Sequence, residues 1–223
     1  MLYSEENVRA NIRNRNGRRV FFLAEGDCLT PSARDFLRQE RIALLPAEQA
    51  KLEEYITEDG AIFQEKPENY SHLRGNILVP KTHPVIAFRG TMDTLQAQLL
   101  LAQAAVPETL RPKVGEILAL ARNIIRWDVL QEPAQYQTLC GLTDEEIRDH
   151  SHYPQKYYDT PHFMPTYTDG NAILQLNIAR CAARQAELAA LQAFEATRPD
   201  LAQVLNRLSS AIYILMIQLK KER

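Results

Sequence analysis

The feature that most constrains the fold of this 223-residue chain is a set of four long segments with helical periodicity. In each of them, apolar residues recur at the spacing of one helix face. The segments cover roughly residues 83–105, 108–131, 170–196 and 199–222. Helices of this length bury their apolar faces by packing against one another. The sequence therefore predicts a mainly α protein built around an up-and-down helical bundle.

Residues that commonly begin helices support these boundaries. Pro107 and Pro199 mark the starts of the second and fourth long segments. Thr143 and Glu146 have the spacing of a capping box and predict a short additional helix. The stretch 153–168 that follows is rich in proline and aromatic residues and has no periodicity. A loop of this length in a compact domain is either functional or disordered.

The residues before the bundle have a mixed pattern. RVFFLAE at 19–25 and RIALL at 41–45 read as strands. Between them, Thr30 stands where it can cap a helix that begins at Pro31. Strand, helix and strand in so short a stretch predict a small βαβ unit with a right-handed crossover.

A polar stretch at 46–70 separates this unit from the bundle, and we interpret it as an excursion or linker. The predicted domains are therefore a small α/β region with its linker at 1–70 and a helical-bundle domain at 71–223. With 45% hydrophobic residues, the chain is long enough to bury one sizeable core beside a small appendage.

Charge and cysteine content argue against several classes of protein. A net charge of −2 and a pI near 6.2 are not those of a general nucleic-acid-binding protein. The three cysteines have no paired spacing, which favours a reducing compartment and gives no zinc motif. The first residues lack an apolar signal core, and the longest apolar run, at 211–217, is far shorter than the ~20 residues that span a bilayer. We expect a cytoplasmic protein that binds neither nucleic acid nor membrane.

Two arginines stand four residues apart in the nearly apolar stretch LNIARCAARQAELA, at 176–189. On a helix, Arg180 and Arg184 share one narrow sector with Asn177 and Glu187. Like charges at this spacing cost about 0.2–0.5 kcal/mol even in water. We therefore expect an anionic partner for each guanidinium group.

Asp93 of the first long segment is a candidate partner. It shares a face with apolar residues, so we expect it to be buried and paired with Arg180 or Arg184. Such a pair could also serve only to fix the register of two helices. One aspartate accounts for one arginine. The second arginine, beside Asn206 and Ser210 of the fourth segment, suggests an anionic ligand such as phosphate.

Other polar groups give weaker signals. Three histidines between residues 150 and 162 fit metal binding or ordinary solvation. The arginine-rich stretch 8–19 fits binding of phosphate or of a partner, or a solvated terminus. Ser71 and Lys81, just before the first long helix, either reach a ligand at the helix ends or belong to a surface loop.

Three of these segments together resemble the PduO-type ATP:corrinoid adenosyltransferases. HPVIAFRGTMDTLQA at 83–97 resembles that family's first-helix motif, in which a proline is followed by Gly-x-x-Asp-x-Leu. IARCAAR at 178–184 resembles its Arg-x-x-x-Arg helix, and LNRLSS at 205–210 resembles its Asn-Arg-Leu-Ser-Asp motif. The resemblance to the ethanolamine-utilisation branch covers nearly the whole chain, through LTPSARDFL, QEP, GLTDEE, SHYP and RPDLAQVLNRLSS.

The resemblance implies roles for the residues of the bundle. Asp93 would pair with Arg180 in a structural ion pair. Arg184 and Asn206 would contact ATP, with Arg184 acting on the leaving triphosphate. Glu187, three residues after Arg184, would help to hold that side chain in place.

The resemblance also implies residues outside these helices. Lys81 would help to hold the triphosphate. An aromatic residue of the loop before the third helix would press on the corrin ring and keep the nucleotide base of cobalamin off the cobalt. Phe163 is our choice for this residue, with Met164 or a nearby tyrosine as alternatives.

Three departures from the family pattern change these expectations. The N-terminal phosphate loop of PduO-type proteins is missing, and Ser71, His72 and the segment to Lys81 are expected to replace it. The His and Cys-Cys-x-x-Cys cluster that binds a divalent metal in many members of the branch is also missing, so we expect no structural transition metal. Ser210 stands where the wider family has Asp, and we expect it only to support the binding residues.

The activity implied is transfer of the 5′-deoxyadenosyl group of ATP, supplied with Mg²⁺, to Co(I) of reduced cobalamin. A flavin-type reductase would supply the electron, and an adenosylcobalamin-dependent ethanolamine ammonia-lyase would use the product. The resemblance also implies association with a bacterial microcompartment. The wider family forms trimers with sites between subunits, so a homo-oligomer is expected. The alternative is a non-catalytic nucleotide- or corrinoid-binding or scaffold protein of a microcompartment. The missing phosphate loop favours this alternative slightly, and the retained set of Asp93, Arg180, Arg184 and Asn206 weighs against it.

Overall fold

A computed structural model describes residues 1–15, 17–51 and 55–222 and divides the chain into two compact units. The first unit comprises Met1–Ile86 with Val129–Gln131, and the second comprises Ala87–Asp128 with Glu132–Arg223. A domain boundary at residue 70 stays a prediction.

The described residues of the first unit form three small sheets and two helices. The strands are β1 (Leu2–Tyr3), β2 (Arg13–Arg15), β3 (Arg18–Leu23), β4 (Cys28–Leu29), β5 (Ala43–Pro46), β6 (Tyr55–Thr57), β7 (Ile62–Phe63), β8 (Tyr70–Arg74) and β9 (Ile77–Pro80). The helices are α1 (Glu5–Ala10) and α2 (Pro31–Gln39), and a 3-10 helix covers Ala47–Lys51. Strands β1 and β4 pair in parallel, β2, β3 and β5 form the second sheet, and the third has the order β7-β6-β9-β8.

The predicted βαβ unit is confirmed. Strands β3 and β5 are parallel neighbours, with Val20 opposite Ala43 and α2 between them in the sequence. The backbone N–H of Ala33 donates to Oγ1 of Thr30 at 3.2 Å, so Thr30 caps α2 as expected. The apolar face of α2 packs in a core made of Val8, Phe21, Leu29, Ala33, Phe36, Leu37 and Ile42.

The stretch 46–70, interpreted as an excursion or linker, contains regular secondary structure where the structure describes it, and residues 52–54 lie outside the described residues. Strands β6 and β7 form a hairpin here, closed by a turn in which the Thr57 N–H donates to the Ala61 carbonyl at 2.9 Å. Gly60 has φ of +89°, which favours glycine in that turn. Strands of two or three residues are too short to show a period of two, so pattern reading missed them.

The predicted long helices are confirmed. They are α3 (Pro84–Ala105), α4 (Arg111–Leu130), α7 (Gly170–Phe194) and α8 (Pro199–Lys221), together with the shorter α5 (Asp144–His152) and α6 (Pro154–Tyr158). The capping box at the start of α5 is present, since the Thr143 N–H donates to Glu146 Oε2 at 2.8 Å and the Glu146 N–H donates to Thr143 Oγ1 at 3.3 Å. The protein is mainly α, with a small α/β part at its N-terminus, as the sequence predicts.

The core of the second unit follows the helical periodicity. Helix α3 contributes residues three and four positions apart, and α7 contributes mostly alanines, which allow α8 to approach closely. The buried residues of these two helices include Phe88, Met92, Leu95, Leu99, Ala179, Ala182, Ala183, Ala186 and Ala190. Helix α8 is buried along most of its length. Among the described residues, no helix is both long and apolar enough to cross a bilayer.

Candidate functional site

The two arginines of α7 have different surroundings. Arg180 is half-buried and donates from Nε and Nη2 to Oδ1 of Asn177, at 3.1 and 2.9 Å. Arg184 is exposed and makes no hydrogen bond or ion pair with any described residue. Neither guanidinium therefore has a carboxylate partner in the described part of this chain, and Arg184 is available to a ligand.

The expectation that Asp93 is buried is wrong for the single chain. Asp93 is exposed and makes no ion pair with any described residue, so the pair with Arg180 is not formed within one chain. Its neighbours on that helix face include Gly90 and Ala97, which are too small to enclose a carboxylate. Helix α3 instead buries the face that carries Phe88, Met92 and Leu95.

Among the described residues, Glu187 makes its hydrogen bond with α8 and none with Arg184. Asn206 donates from Nδ2 to Oε1 of Glu187 at 3.0 Å. The other side of the same amide, Oδ1, accepts from Nη1 of Arg207 at 2.7 Å. Sequence reasoning placed Glu187 beside Arg184 because the two lie three residues apart, but its hydrogen bond joins α7 to α8 and fixes the orientation of the Asn206 amide.

Arg207 is a site residue that sequence reasoning missed. Its side chain is only 15% exposed and donates from Nε to Oδ2 of Asp144 at 2.9 Å, across from α8 to α5. Tyr136 donates its hydroxyl to Oδ1 of the same carboxylate at 2.9 Å. Burial, followed by this hydrogen bond, raises the pKa of Tyr136 well above its usual value, so the hydroxyl stays a donor.

A second set of contacts connects the QEP segment to the start of α8. Arg198 donates from Nη2 to the Glu132 carbonyl at 2.8 Å and forms an ion pair with Asp200 at 3.0 Å. Asp200 in turn accepts from the Ala134 N–H at 2.8 Å. The QEP and RPDLAQVLNRLSS motifs, to which the resemblance gives no role at these positions, therefore meet here. Their contacts position the helix that carries Asn206.

The loop before α7 is attached to α8 through Tyr213. The Phe163 N–H donates to the Tyr213 hydroxyl at 3.3 Å, and the two rings stack with centroids 6.1 Å apart. His162 Nδ1 lies 3.1 Å from the same hydroxyl. Further along the loop, buried Asp169 forms an ion pair with Lys220. The loop is therefore ordered on α8 and not a free excursion.

Side chains of this loop differ greatly in exposure. Phe163 is half-buried against the core, whereas Met164 is 88% and Tyr167 is 89% exposed. Tyr213, which contacts Phe163, shares one face of α8 with Asn206 and Ser210. Tyr213 comes seven positions after Asn206, a rise of about 10 Å along the helix.

The remaining predicted binding residues lie in the first unit. Ser71 is half-buried on β8 opposite Val79 of β9. Lys81 follows β9, is exposed, and donates from Nζ to Oε1 of Glu68 at 3.1 Å. This contact lowers the pKa of Glu68 below its usual value.

The histidines have partners other than a metal. His150 stacks on Tyr157 with ring centroids 3.8 Å apart, and its Nδ1 lies 2.8 Å from the Tyr158 hydroxyl. His162 contacts the His152 carbonyl through Nε2 at 3.1 Å. Within the part of the chain that the structure describes, no three His, Cys, Asp or Glu side chains come together as a metal site requires.

The second unit therefore presents an exposed guanidinium on α7, three residues before the Glu187 carboxylate that holds an oriented amide on α8. Arginine donors and an oriented amide suit recognition of a phosphate or another anion. About two turns further along α8, the same helix face holds the ordered aromatic loop.

Comparison with known proteins gives consistent matches. The model of the cobalamin adenosyltransferase family matches residues 62–219. The corrinoid adenosyltransferase EutT of Escherichia coli (strain K12) is 36% identical over 157 residues, which are 68% of this chain and 59% of that protein. The corrinoid adenosyltransferase EutT of Salmonella typhimurium (strain LT2) is 35% identical over the same length and the same shares. The match thus spans less than two thirds of the length of these curated relatives.

Proposed function

The chain belongs to the cobalamin adenosyltransferase family, and from this we propose that it is an ATP:corrinoid adenosyltransferase. In the proposed reaction, Co(I) of reduced cobalamin attacks C5′ of ATP. A cobalt–carbon bond forms, the C5′–O bond breaks, and triphosphate leaves with the bonding electrons while cobalt becomes Co(III). Co(I) is itself a strong nucleophile, so the protein needs no general base. Its tasks are alignment, stabilisation of the leaving group and control of the cobalt ligands.

The observation that carries this proposal is an arginine on α7 that is unpartnered among the described residues, together with the hydrogen bonds that hold an amide of α8. Arg184 has no partner in the described chain, and Glu187 and Arg207 hold the Asn206 amide between them. An unpaired guanidinium stabilises negative charge that develops on a leaving phosphate. A fixed amide gives orientation to the nucleotide at little entropic cost, because it is already held.

Lys81 and Ser71 are proposed as further phosphate contacts, on the strength of the resemblance and of their chemistry. Lys81 is a mobile point charge whose present partner, Glu68, is fully exposed and easily replaced. Ser71 offers a hydroxyl that can donate to a phosphate oxygen. ATP is proposed to enter as its Mg²⁺ complex, in which the ion neutralises part of the triphosphate charge. A structural transition metal is not part of the proposal.

We assign the corrin contact to the loop that holds Phe163. Its attachment to Tyr213 supports this role, because an apolar side chain held on a rigid helix can exclude water and the lower ligand from cobalt. The exposed side chain of Met164 follows directly and is the alternative contact. Removal of the lower ligand makes Co(II) easier to reduce.

The proposal includes a homo-oligomer, as the resemblance implies. The open faces of α3 and α7 carry large apolar side chains that one chain leaves exposed, namely Leu100, Leu101, Ile178, Leu188 and Leu191. Such exposure on neighbouring turns is typical of a surface that another protein covers. In that arrangement Asp93 of one copy would meet Arg180 of another, which accounts for the absence of this pair within one chain.

The partners and the location belong to the same proposal. A flavin-type reductase would deliver the electron to Co(II), and an adenosylcobalamin-dependent ethanolamine ammonia-lyase would receive the product. Both fit a cytoplasmic enzyme of ethanolamine utilisation that works at a bacterial microcompartment.

Spectroscopy with reduced cobalamin tests the activity directly. The protein is mixed with MgATP and chemically reduced cobalamin, and the visible spectrum is followed for a cobalt–carbon product. We expect Arg184→Gln to lose at least about 100-fold in rate, because one transition-state anion contact is worth roughly 3 kcal/mol. Arg122→Gln, an exposed arginine on α4, is the matched control and should keep its rate.

Two results would contradict the proposal. If the unaltered protein forms no cobalt–carbon product, the scaffold alternative is favoured. If Arg184→Gln and Arg122→Gln have the same rate, Arg184 does not stabilise the triphosphate.

A further inference from the structure

A cavity of about 390 Å³ lies within the first unit, whereas Arg184 and Asn206 belong to the second. Its volume falls in the range of about 300–1,000 Å³ that is usual for small-molecule sites. The described residues that line it are cationic, amide or aromatic for the most part, and none of them is Asp or Glu. The arginine-rich stretch 8–19 supplies part of one wall.

Two half-buried arginines line this cavity and have no carboxylate partner among the described residues. Arg13 and Arg15 lie two residues apart on β2 and so point to the same face of their sheet. Arg15 donates from Nη1 to the Gln49 carbonyl at 3.2 Å, and neither arginine forms an ion pair with any described residue. In the register of the hairpin, Arg15 stands directly opposite Arg18. Like charges in that position repel, and a bound anion offsets this repulsion.

Aromatic rings form another part of the lining. Tyr55 meets the His72 ring edge-on with centroids 5.7 Å apart, and Tyr3 meets Phe21 in the same manner at 5.3 Å. Flat rings beside two guanidinium groups suit a ligand that has both an aromatic part and a negatively charged part.

The wall of the cavity is held rigidly by one side chain. Asn76, 7% exposed, accepts from the Asn14 N–H through Oδ1 at 2.6 Å and donates from Nδ2 to the Asn14 carbonyl at 2.8 Å. Gly75 allows this approach, since a Cβ there would lie 2.2 Å from the Ile12 carbonyl oxygen. The backbone between Arg13 and Arg15 is thus fixed against the turn from β8 to β9, so the two guanidinium groups start from an ordered wall.

We propose that this cavity binds a nucleotide, with Arg13 and Arg15 on the phosphate groups and the rings of Tyr3 and Tyr55 beside the base. Its lining residues belong to the first unit and include none of the residues proposed to contact ATP in adenosyl transfer, namely Arg184, Asn206, Lys81 and Ser71. The protein would then bind nucleotide at two places, one for chemistry and one in the N-terminal unit.

Chemical footprinting of the arginines in the full-length protein tests the proposal without any mutation. Phenylglyoxal modifies accessible guanidinium groups, and mass spectrometry gives the rate at each position. We expect ATP to slow modification of Arg13 and Arg15 at least about threefold, while the exposed α2 residues Arg34 and Arg38 serve as internal controls and do not change. Equal rates with and without ATP at Arg13 and Arg15 would overturn the proposal.

Two further probes define the ligand class. Inorganic triphosphate should protect less than ATP, and adenosine should not protect at all, because the arginines hold the phosphates and the rings add to binding. Equal protection by triphosphate and ATP at the same concentration would contradict assignment of a nucleotide. Protection by ATP should persist in Arg184→Gln, and its loss there would show that the footprint reports the transfer site instead.

Photolabelling with 8-azido-ATP provides the mutational test. Label is expected on the peptides that contain Tyr3 or Tyr55, and about tenfold less in R13Q/R15Q, since loss of charge-assisted hydrogen bonds weakens binding by about this factor or more. R34Q/R38Q removes the same charge from the same unit and should label normally. We expect adenosyl transfer to be unchanged in both double variants. The proposal fails if the two double variants are photolabelled equally.

Discussion

Asp144 connects three elements of the second unit, and its replacement by Asn gives the sharpest test of how the site is held. Its carboxylate accepts from Arg207 Nε at 2.9 Å, from the Tyr136 hydroxyl at 2.9 Å and from Gln203 Nε2 at 3.4 Å. Arg207 in turn holds the Asn206 amide at 2.7 Å. Asp144→Asn keeps the shape of the side chain and removes its charge.

The expected cost lies between two limits. An exposed ion pair contributes about 0–1 kcal/mol, and breaking a fully buried one costs about 3–5 kcal/mol. The Arg207 side chain is 15% exposed and that of Asp144 is 33% exposed, so the pair is nearer the surface limit than the buried one. We therefore expect Asp144→Asn to lower the free energy of unfolding by about 1–2 kcal/mol.

Glu145→Gln is the matched control, because Glu145 lies beside Asp144 in the first turn of α5 and is exposed. Both substitutions remove one favourable interaction with the helix dipole, worth about 0.3–1 kcal/mol. The difference between their free energies of unfolding therefore reports the contacts of Asp144. Urea unfolding of Asp144→Asn, Arg207→Met and the double variant then gives the coupling energy of the pair.

We expect a coupling of at least about 0.5 kcal/mol, the lower end for residues in direct contact. In the adenosyl-transfer assay, Asp144→Asn should raise the KM for ATP more than Glu145→Gln does, because Asn206 loses its support. A coupling near zero together with equal KM values would refute the argument that Asp144 and Arg207 position Asn206.

Three further results are expected. Asp93→Asn should leave the unfolding free energy of the single chain within about 0.5 kcal/mol of that of the unaltered chain, as for other exposed sites. It should weaken assembly, as measured by sedimentation. A large loss of stability in dilute, monomeric protein would contradict the exposed position of Asp93. Phe163→Ala should impair turnover from Co(II) with a reductase more than turnover from pre-reduced Co(I), and a larger effect of Met164→Ala would move the corrin contact to that residue. The Lys220 ammonium and the Thr166 N–H hold the pKa of Asp169 down to about 2 from an ordinary 3.8. This carboxylate therefore adds stability that is fully present above about pH 4 and is lost as the pH falls towards 2; Asp169→Asn should show a weaker pH dependence of urea unfolding in that window, and an unchanged dependence would refute the pair.

Helices were predictable from this sequence because their signals are local and repeated. The long segments carry many turns of the same periodicity, and Thr30 and Thr143 act within three residues of their own positions. Strands such as β6 and β7 were not predictable, because two or three residues show no period of alternation. Their pairing partners also lie elsewhere in the chain.

Residue types at the site were easier to predict than their contacts. Helical spacing placed Asn177, Arg180 and Arg184 on one side of α7, and the structure agrees with that arrangement. Helical spacing alone does not tell whether a face is covered, so Asp93 was expected to be buried and is exposed. The pairing of Arg207 with Asp144 joins residues 63 apart in sequence, which no local pattern reports.

The Gly75–Asn76 pair has a consequence for recognising similar N-terminal units. Asn76 has to offer an acceptor to the backbone N–H of Asn14 and a donor to its carbonyl, so aspartate lacks the donor and glutamine has the wrong length. Gly75 cannot carry any side chain without displacing the Ile12 carbonyl. A glycine followed by asparagine in the turn between two short strands is therefore a compact signature. Proteins that carry it ahead of the bundle are the ones in which to look for the same cavity.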